Sequence, residues 1–209
     1  MSADIYSYQP SQGHGLAHDP LNAIIAPRPI GWISSSSATG QRNLAPYSFF
    51  NLFNYQPPII GFASSGWKDS VANIAATREF VWNLVTEPLA VAMNQSSAPL
   101  SADQDEFTFA GLKALPSELI KVDRVAESPV HFECRLTQII QLRDTQDHAL
   151  DSWLVLGEVV MIHIQASLLD NDGVYQTVKA APILRAGGPS AYYGITEDQR
   201  IDLWRPNGK

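Results

Sequence analysis

The sequence predicts a mainly β protein, built as a closed or partly closed antiparallel barrel with a few short helices. The clearest strand runs from Val130 to Arg143, where apolar and polar residues alternate with the period of two that a half-buried strand shows. A second strand, Trp153 to Ile164, is apolar on both faces, which predicts that one face meets the core and the other a partner or ligand. Short Pro, Gly, Asn and Asp clusters separate the regular segments, and closing such a sheet removes its exposed edges.

Helical signals are fewer than strand signals. Apolar residues at helical spacing predict helices from Ser70 to Glu79 and, roughly, from Pro88 to Asn94. The sequence LDNDG, Leu169 to Gly173, predicts a tight turn, and Gly111 to Lys121 predicts a loop or short helix over the barrel. Gly157, inside the second strand, predicts a bulge or a bend.

Length and composition indicate one domain. The chain has 209 residues, of which 45% are hydrophobic, so we expect a single domain over residues 1 to 209 with residues 1 to 20 as an N-terminal extension. The net charge of -7 and the lack of a Lys or Arg cluster argue against a nucleic-acid partner. The chain shows neither a secretory pattern nor a membrane-spanning apolar run, and its one cysteine, Cys134, excludes an internal disulfide. These observations predict a cytoplasmic protein with no membrane partner.

The sequence SSGWKDSVANI predicts an anion site at a helix start. Asp69 or Ser70 is placed to cap this helix, and Lys68 adds a positive charge just before it. Unsatisfied backbone N–H groups at a helix start attract phosphate, and a strand that ends at Ser64 and Ser65 leads into this one. A P-loop is excluded, because the lysine does not directly follow a glycine and an aspartate separates it from the serine.

Two upstream segments are candidates for the rest of a ligand site. Ser34 to Ser37, with Thr39, place hydroxyl groups at a strand end, where they contact a ligand or form an ordinary polar turn. Asn43 to Asn51 (NLAPYSFFN), interpreted as a buried turn, mixes aromatic surface with hydrogen-bonding groups, as cofactor pockets do. The alternative for this turn is a purely structural role. With the anion site, both segments indicate a pocket for a phosphorylated aromatic cofactor.

Other chemistries lack their motifs. No GxGxxG follows a strand, so a Rossmann nicotinamide domain is excluded, and neither GxSxG nor HExxH occurs. His14 and His18 have metal-ligand spacing without an accompanying carboxylate motif, so no metal site is predicted. His163 is interpreted as a hydrogen-bonded core histidine and Cys134 as a small core residue. The stretch Pro182 to Gly194 either closes over a planar ring or docks the C-terminal tail.

Four ordered segments, PRPIGWISS, TGQRNLAPYSFFN, PPIIGFASS, and KDSVANI followed by EFVWNLV, resemble the flavin reductase-like family of FMN-binding split barrels. The resemblance covers residues 26 to 84 and extends more loosely through GEVVMIHI and LRAGGPSAYY. It implies an antiparallel, Greek-key-like split β-barrel and a homodimer of six-stranded barrels that binds FMN near the dimer interface. The implied cofactor-binding residues are Ser34, Ser35, Asn43, Ala45, Pro46, Tyr47, Ser48, Phe49, Asn51, Ser64, Ser65, Lys68, Asp69 and Ser70.

The resemblance also implies an activity. An NAD(P)H-dependent flavin or FMN reductase would pass a hydride from NADH or NADPH to FMN, and this chemistry requires no catalytic side chain. Its partners would be NAD(P)H, flavin, a second copy of the chain, and an oxygenase or redox partner protein. A non-enzymatic FMN electron carrier is the alternative, and a pyridoxamine-phosphate-oxidase-like activity is a weaker third reading. Trp67 is bulkier than expected beside the phosphate end, where it can stack on a ring or narrow the entrance.

Overall fold

A computed structural model describes residues 4 to 101 and 104 to 206, and its main feature is a large antiparallel sheet. The seven strands of this sheet are β1 (Gly31–Ser36), β2 (Arg42–Tyr47), β3 (Phe50–Tyr55), β4 (Pro58–Ser65), β5 (Glu79–Asn83), β8 (Val130–Arg143) and β9 (Ala149–Ile164). Two small strand pairs stand apart from it: β6 (Ala114–Leu115) with β7 (Arg124–Val125), and β10 (Leu184–Arg185) with β11 (Tyr192–Tyr193). The order across the sheet is β2-β1-β5-β8-β9-β4-β3, one strand more than the resemblance implies.

Four short helices occur among the described residues: α1 (Leu21–Ile24), α2 (Asp69–Thr77), α3 (Ala90–Gln95) and α4 (Glu106–Phe109). The predicted helix from Ser70 to Glu79 is confirmed as α2 with shifted ends. It stops at Thr77 because Arg78 adopts a left-handed conformation, with φ of 67°, and the next residue already begins β5. The predicted helix near Pro88 is confirmed in part, since a 3-10 turn at 87 to 89 precedes α3.

The sheet curls so that strands from both of its ends share one core. Tyr47 on β2 and Phe62 on β4 are far apart in strand order, yet their ring centroids are 4.4 Å apart. Around them pack α2 and the inner faces of β1, β5, β8 and β9, through Ile33, Val71, Ile74, Phe80, Cys134 and Val155. Burying this much apolar surface is the main force that favours the curled sheet. The curled sheet is therefore the partly closed barrel that the sequence predicts.

Among the local predictions, one needs correction and two are confirmed. The segment Asn43 to Asn51 is not a turn, because β2 pairs with β1 along all six residues from Arg42 to Tyr47. Pro46 is tolerated there since β2 is an edge strand, where a missing N–H breaks no ladder bond. Gly111 to Lys121 is a loop, as one of the two predicted alternatives has it, and it contains the short strand β6. The LDNDG turn is confirmed: the N–H of Gly173 donates to Asp170 O at 3.1 Å.

The long hairpin of β8 and β9 confirms the strand from Val130 to Arg143 with its predicted bounds. Its alternation is wrong at one end, because His131 and Glu133, predicted on the polar face, are buried. The register shifts opposite Gly157, so a bulge lies in β8 rather than at the glycine itself. A Cβ at Gly157 would stand 2.3 Å from the Phe80 ring, so the glycine lets that ring pack against the strand.

The outer strand β3 exposes large apolar side chains. Leu52, Phe53 and Tyr55 are 51%, 54% and 86% exposed.

No described helix is long and apolar enough to cross a membrane.

Candidate functional site

A cavity of about 400 Å³ lies where β2 meets the start of α2. It brings together residues that are far apart in the chain, and its remaining lining comes from Glu106 and from residues 96 to 100. Seven of the lining residues are ones that the sequence predicted: Asn43, Ala45, Pro46, Tyr47, Lys68, Asp69 and Ser70.

Hydrogen bonds connect the polar side chains beside this cavity. Asn43 Nδ2 donates to Ser70 Oγ at 2.8 Å and to Ser35 Oγ at 3.2 Å. Burial raises the pKa of Tyr47, and hydrogen bonds with Ser70 and Ser64 oppose part of that rise, so the phenol stays neutral. These bonds fix β1, β2, β4 and the start of α2 relative to one another.

The start of α2 carries no side-chain cap, which corrects the expectation that Asp69 or Ser70 provides one. Lys68 occupies the cap position in an extended conformation, and no side chain accepts from the first N–H groups. Ser64 Oγ donates to Gly66 O at 2.9 Å, while Ser65 is exposed where β4 ends. The uncapped N–H groups, the helix dipole and the Lys68 charge together favour an anion at this point.

Two carboxylates face the same cavity. Asp69 is exposed, whereas Glu106 is half-buried and its Oε2 accepts the backbone N–H of Leu44 at 3.1 Å. Burial raises the pKa of Glu106; hydrogen bonds from its own N–H and that of Leu44 oppose the rise, and the charges of Asp105 and Asp69 add to it. Sequence reasoning missed Glu106, since no local pattern marks it and only the packing of α4 against β2 brings it to the site.

Ser34 is not brought into the cavity. Side chains alternate along β1, so Ser34 lies on the opposite face from Ser35. Its Oγ donates to Asp123 O at 2.7 Å and accepts from Asn83 Nδ2 at 3.3 Å. In this structure its hydroxyl serves to fasten the loop at residue 123 to the sheet.

Three predicted residues, Ser48, Phe49 and Asn51, lie at the passage from β2 to β3, outside the lining of the cavity. Arg28 Nε donates to Ser48 O at 3.1 Å, and the Arg28 guanidinium lies 5.6 Å from the centroid of the Phe49 ring. Asn51 is exposed. Their contact with a flavin ring stays a prediction.

Trp67 also lies outside the lining of the cavity. It is 49% exposed and packs edge to face on Trp153, with ring centroids 4.6 Å apart. The structure therefore gives Trp67 a protein partner, while stacking on a ring and narrowing the entrance both stay predictions.

The structure also shows the contacts of His163, Cys134 and the stretch Pro182 to Gly194. His163 is hydrogen-bonded as predicted, with Nε2 2.7 Å from Glu133 Oε1, but it is half-buried rather than part of the core. Cys134 is a buried core residue as predicted, and burial raises the pKa of its thiol. Arg185 donates to carbonyl oxygens of residues 188, 189 and 191, all within the stretch Pro182 to Gly194, so these bonds hold the stretch together and both of its predicted roles stay open.

A larger cavity, about 860 Å³, lies between the β1–β2 turn and residues 121 to 123. Its charged lining is mixed, since Arg42 and Lys121 stand against Glu79, Asp105 and Asp123. Arg42 is already paired with Asp105 and lies 3.8 Å from Asp123. Among the described residues that line this larger cavity, there is neither an uncapped helix start nor an arginine without an ion-pair partner, so we place the candidate site in the smaller cavity.

The smaller cavity fits a phosphorylated flavin. The uncapped α2 start with Lys68 suits a phosphate group. The side chains of Ala45, Pro46 and Tyr47 offer apolar surface, and Asn43 and the Ser70 hydroxyl offer polar groups beside it. Among the described residues, no cluster of His, Cys, Asp and Glu has the arrangement of a metal site.

Comparisons with known proteins agree with this chemistry. The model of the flavin reductase like domain matches residues 25 to 182. An uncharacterized protein of Aquifex aeolicus is 34% identical over 170 residues, which cover 79% of this chain and 83% of that protein.

The chain also superposes on solved structures. Nitrilotriacetate monooxygenase component B from Bacillus cereus superposes with a TM-score of 0.87 at 30% identity, over 97% of this chain and 100% of that one. A protein with a split barrel domain from Shewanella frigidimarina NCIMB 400 gives a TM-score of 0.78 at 20% identity, over 88% and 90% of the two chains. The predicted split-barrel fold is thereby confirmed, and the chain belongs to the flavin reductase-like family.

Proposed function

We propose that this protein is an FMN-binding oxidoreductase that takes a hydride from NADH or NADPH. The observation that carries the proposal is the cavity in which the uncapped start of α2 and Lys68 lie beside Asn43, Tyr47 and Ser70. Membership of the flavin reductase-like family supports the oxidoreductase class. The choice of FMN rests on the fit of a phosphate group to the helix start.

Each part of the site has a role in this proposal. Lys68, the first N–H groups of α2 and the Ser70 hydroxyl hold the phosphate, with the exposed Ser65 close to them in sequence at the end of β4. Ser64 is fully buried and its hydroxyl donates to Gly66 O, so it holds the loop before α2 instead. The segment Asn43 to Asn51 lines the ring system, and the bonds of Asn43 to Ser35 and Ser70 keep β2 in place. When bound, the flavin supplies the hydride chemistry. The task of the chain is therefore to bind and orient, since no side chain has to act as an acid or base.

The surroundings of the site complete the proposal. The apolar side chains that β3 exposes, among them Leu52 and Phe53, support a homodimer that buries this edge strand. Ser48, Phe49 and Asn51 lie beside the same edge, where a second copy would cover them. We place the protein in the cytoplasm, with an oxygenase or a redox partner protein as the acceptor of its electrons.

The test is the visible spectrum of the purified protein, recorded before and after anaerobic addition of NADH, with NADPH in parallel. We expect bound oxidised flavin that bleaches with one or both nicotinamides. Bound flavin that stays oxidised would contradict the reductase and favour an electron carrier. A protein that takes up no added FMN would overturn the site itself.

Lys68→Ala is expected to raise the Kd for FMN about tenfold, because a charge-assisted phosphate contact is lost. Adding Ser70→Ala should raise the Kd further, since it removes both a hydroxyl and the acceptor of the Asn43 bond. The measurement is quenching of flavin fluorescence on titration.

Two controls make this result specific to the phosphate. Riboflavin, which has no phosphate, should bind Lys68→Ala and wild type equally. Lys113→Ala, an exposed lysine outside the cavity lining, should leave FMN binding unchanged. An unaltered Kd for FMN in the double variant would refute the phosphate assignment.

A further inference from the structure

The candidate cavity has an unusual charge balance for a phosphate site. Lys68, Asp69 and Glu106 line it, and among the ion pairs of the described residues none involves any of the three. One positive charge therefore stands against two carboxylates. A doubly charged phosphate that enters has to be accommodated against this excess of negative charge.

Of the two carboxylates, Glu106 is the one held in place. Its Oε2 accepts the Leu44 N–H on the free edge of β2, at 3.1 Å, and the residue is half-buried. Asp69 is exposed, so solvent stabilises its charge. Glu106 has less solvent, and it is therefore the group whose charge a nearby phosphate disfavours most strongly.

The other charged and titratable groups around Glu106 do not offset this effect. Asp105, its neighbour on α4, adds negative charge and is paired with Arg42 on β2. Tyr47 faces the cavity as a neutral phenol. At the start of α2, Lys68 is the one cation among the described residues of the cavity lining, and Asp69 follows it in sequence.

We propose that Glu106 takes up a proton when the flavin phosphate binds, and that this residue sets how strongly the site prefers phosphorylated over phosphate-free flavin. The inference rests on the proposed function. The carboxylate is a specificity-determining residue: as an anion it opposes the phosphate, and as a neutral acid it does not.

The pH dependence follows from the direction of the coupling. A bound phosphate raises the pKa of Glu106 further above that of the flavin-free protein, where burial already raises it. At a pH below both pKa values, Glu106 is neutral with or without ligand, so its replacement does not change the affinity for FMN. At a pH between the two values, Glu106 takes up a proton when FMN binds. At a pH above both, the ionised carboxylate weakens FMN binding by the full factor.

Glu106→Gln tests this, because glutamine keeps an oxygen that accepts the Leu44 N–H and removes the charge. Flavin-free full-length protein is titrated with FMN and with riboflavin, from about pH 5 to about pH 8, and fluorescence quenching gives each Kd. At about pH 8 we expect the variant to bind FMN about tenfold more tightly than wild type, the factor for one pKa unit of coupling. The factor should shrink towards one at low pH, and riboflavin should bind both proteins equally.

The ratio of the FMN Kd of wild type to that of Glu106→Gln cancels the part of the phosphate titration that both proteins share; the second pKa of the phosphate is about 6, so the ratio at about pH 8 reports the doubly charged form. Glu87→Gln is the matched control, since Glu87 also starts a short helical turn but lies outside the cavity lining. Equal FMN affinity of Glu106→Gln and wild type at high pH, or the same gain for riboflavin, overturns the inference. Wild type that binds neither flavin overturns the proposed function and this inference with it.

Discussion

Lowering the pH from neutral to about 4 is expected to destabilise this protein by about 3 kcal/mol through His131 alone. His131 is 5% exposed; its Nε2–H donates to Val125 O at 2.8 Å, and its Nδ1 has no hydrogen-bond partner among the described residues. Burial is the main cause that lowers the pKa of His131 from 6.5 to about 4, with a smaller contribution in the same direction from the charge of Arg124. The hydrogen bond to Val125 O opposes this only in part.

The direction of this pH effect follows from the protonation of His131 in the folded and the unfolded protein. Between pH 6.5 and about 4 the unfolded chain binds a proton at His131 and the folded protein does not, so stability falls as the pH falls. The measurement is the free energy of unfolding in urea across this range. His131→Gln keeps an N–H near the Nε2 position and should flatten the curve there. His18→Gln, at an exposed N-terminal histidine, is the matched control and should follow wild type; an equally steep curve for His131→Gln would contradict the assignment.

Glu133→Ala is expected to lower the free energy of unfolding by roughly 3 to 5 kcal/mol, because it removes the acceptor from a buried network. The fully buried Glu133 carboxylate accepts the N–H groups of Glu118 and Leu119 at 2.7 and 2.8 Å, and His163 Nε2 lies 2.7 Å away. Burial alone would raise the pKa of Glu133, but these hydrogen bonds lower it below its usual 4.5. The carboxylate thus fastens the loop at 117 to 121 to the sheet.

A nearby surface acid provides the control. Glu118 Oε1 lies 3.7 Å from His163 Nδ1, and the Glu118 side chain is 60% exposed. Glu118→Ala should therefore lower the free energy of unfolding by less than about 1 kcal/mol in the same urea experiment. It leaves the backbone N–H that Glu133 accepts. Since the folded-state pKa of Glu133 is lowered, its stabilisation is present above pH 4.5 and is lost as the pH falls below that value. Equal losses from the two variants would show that Glu133 does not carry the network.

The accuracy of the sequence predictions depends on how local their causes are. The strand Val130 to Arg143 and the LDNDG turn were predicted correctly, because alternation and turn chemistry involve neighbours within a few residues. The helix that became α2 was also found, but its start was misjudged: Lys68 takes the cap position and leaves the N–H groups open. Cap geometry depends on how the preceding strand enters the helix, which residue identities alone do not specify.

Burial on the second face of β8 shows the opposite case. Alternation predicts His131 and Glu133 on the solvent side, and they are buried because segments outside β8 cover that face. The N–H groups of Glu118 and Leu119 bind Glu133 from one such segment, and Val125 O accepts from His131. No residue pattern within β8 indicates that other segments cover this face.

The mainly β class, the family, and the segments of β2 and α2 that line the cavity could all be predicted without a structure, because they follow from local periodicity and from ordered motifs. Three features became visible only in the folded chain: Ser34 faces away from the cavity, Glu106 enters it, and two polar residues of β8 are buried. They could not be predicted because burial and charge depend on which other segments exclude water from a side chain. Those contacts form only when the sheet curls and its loops pack against it.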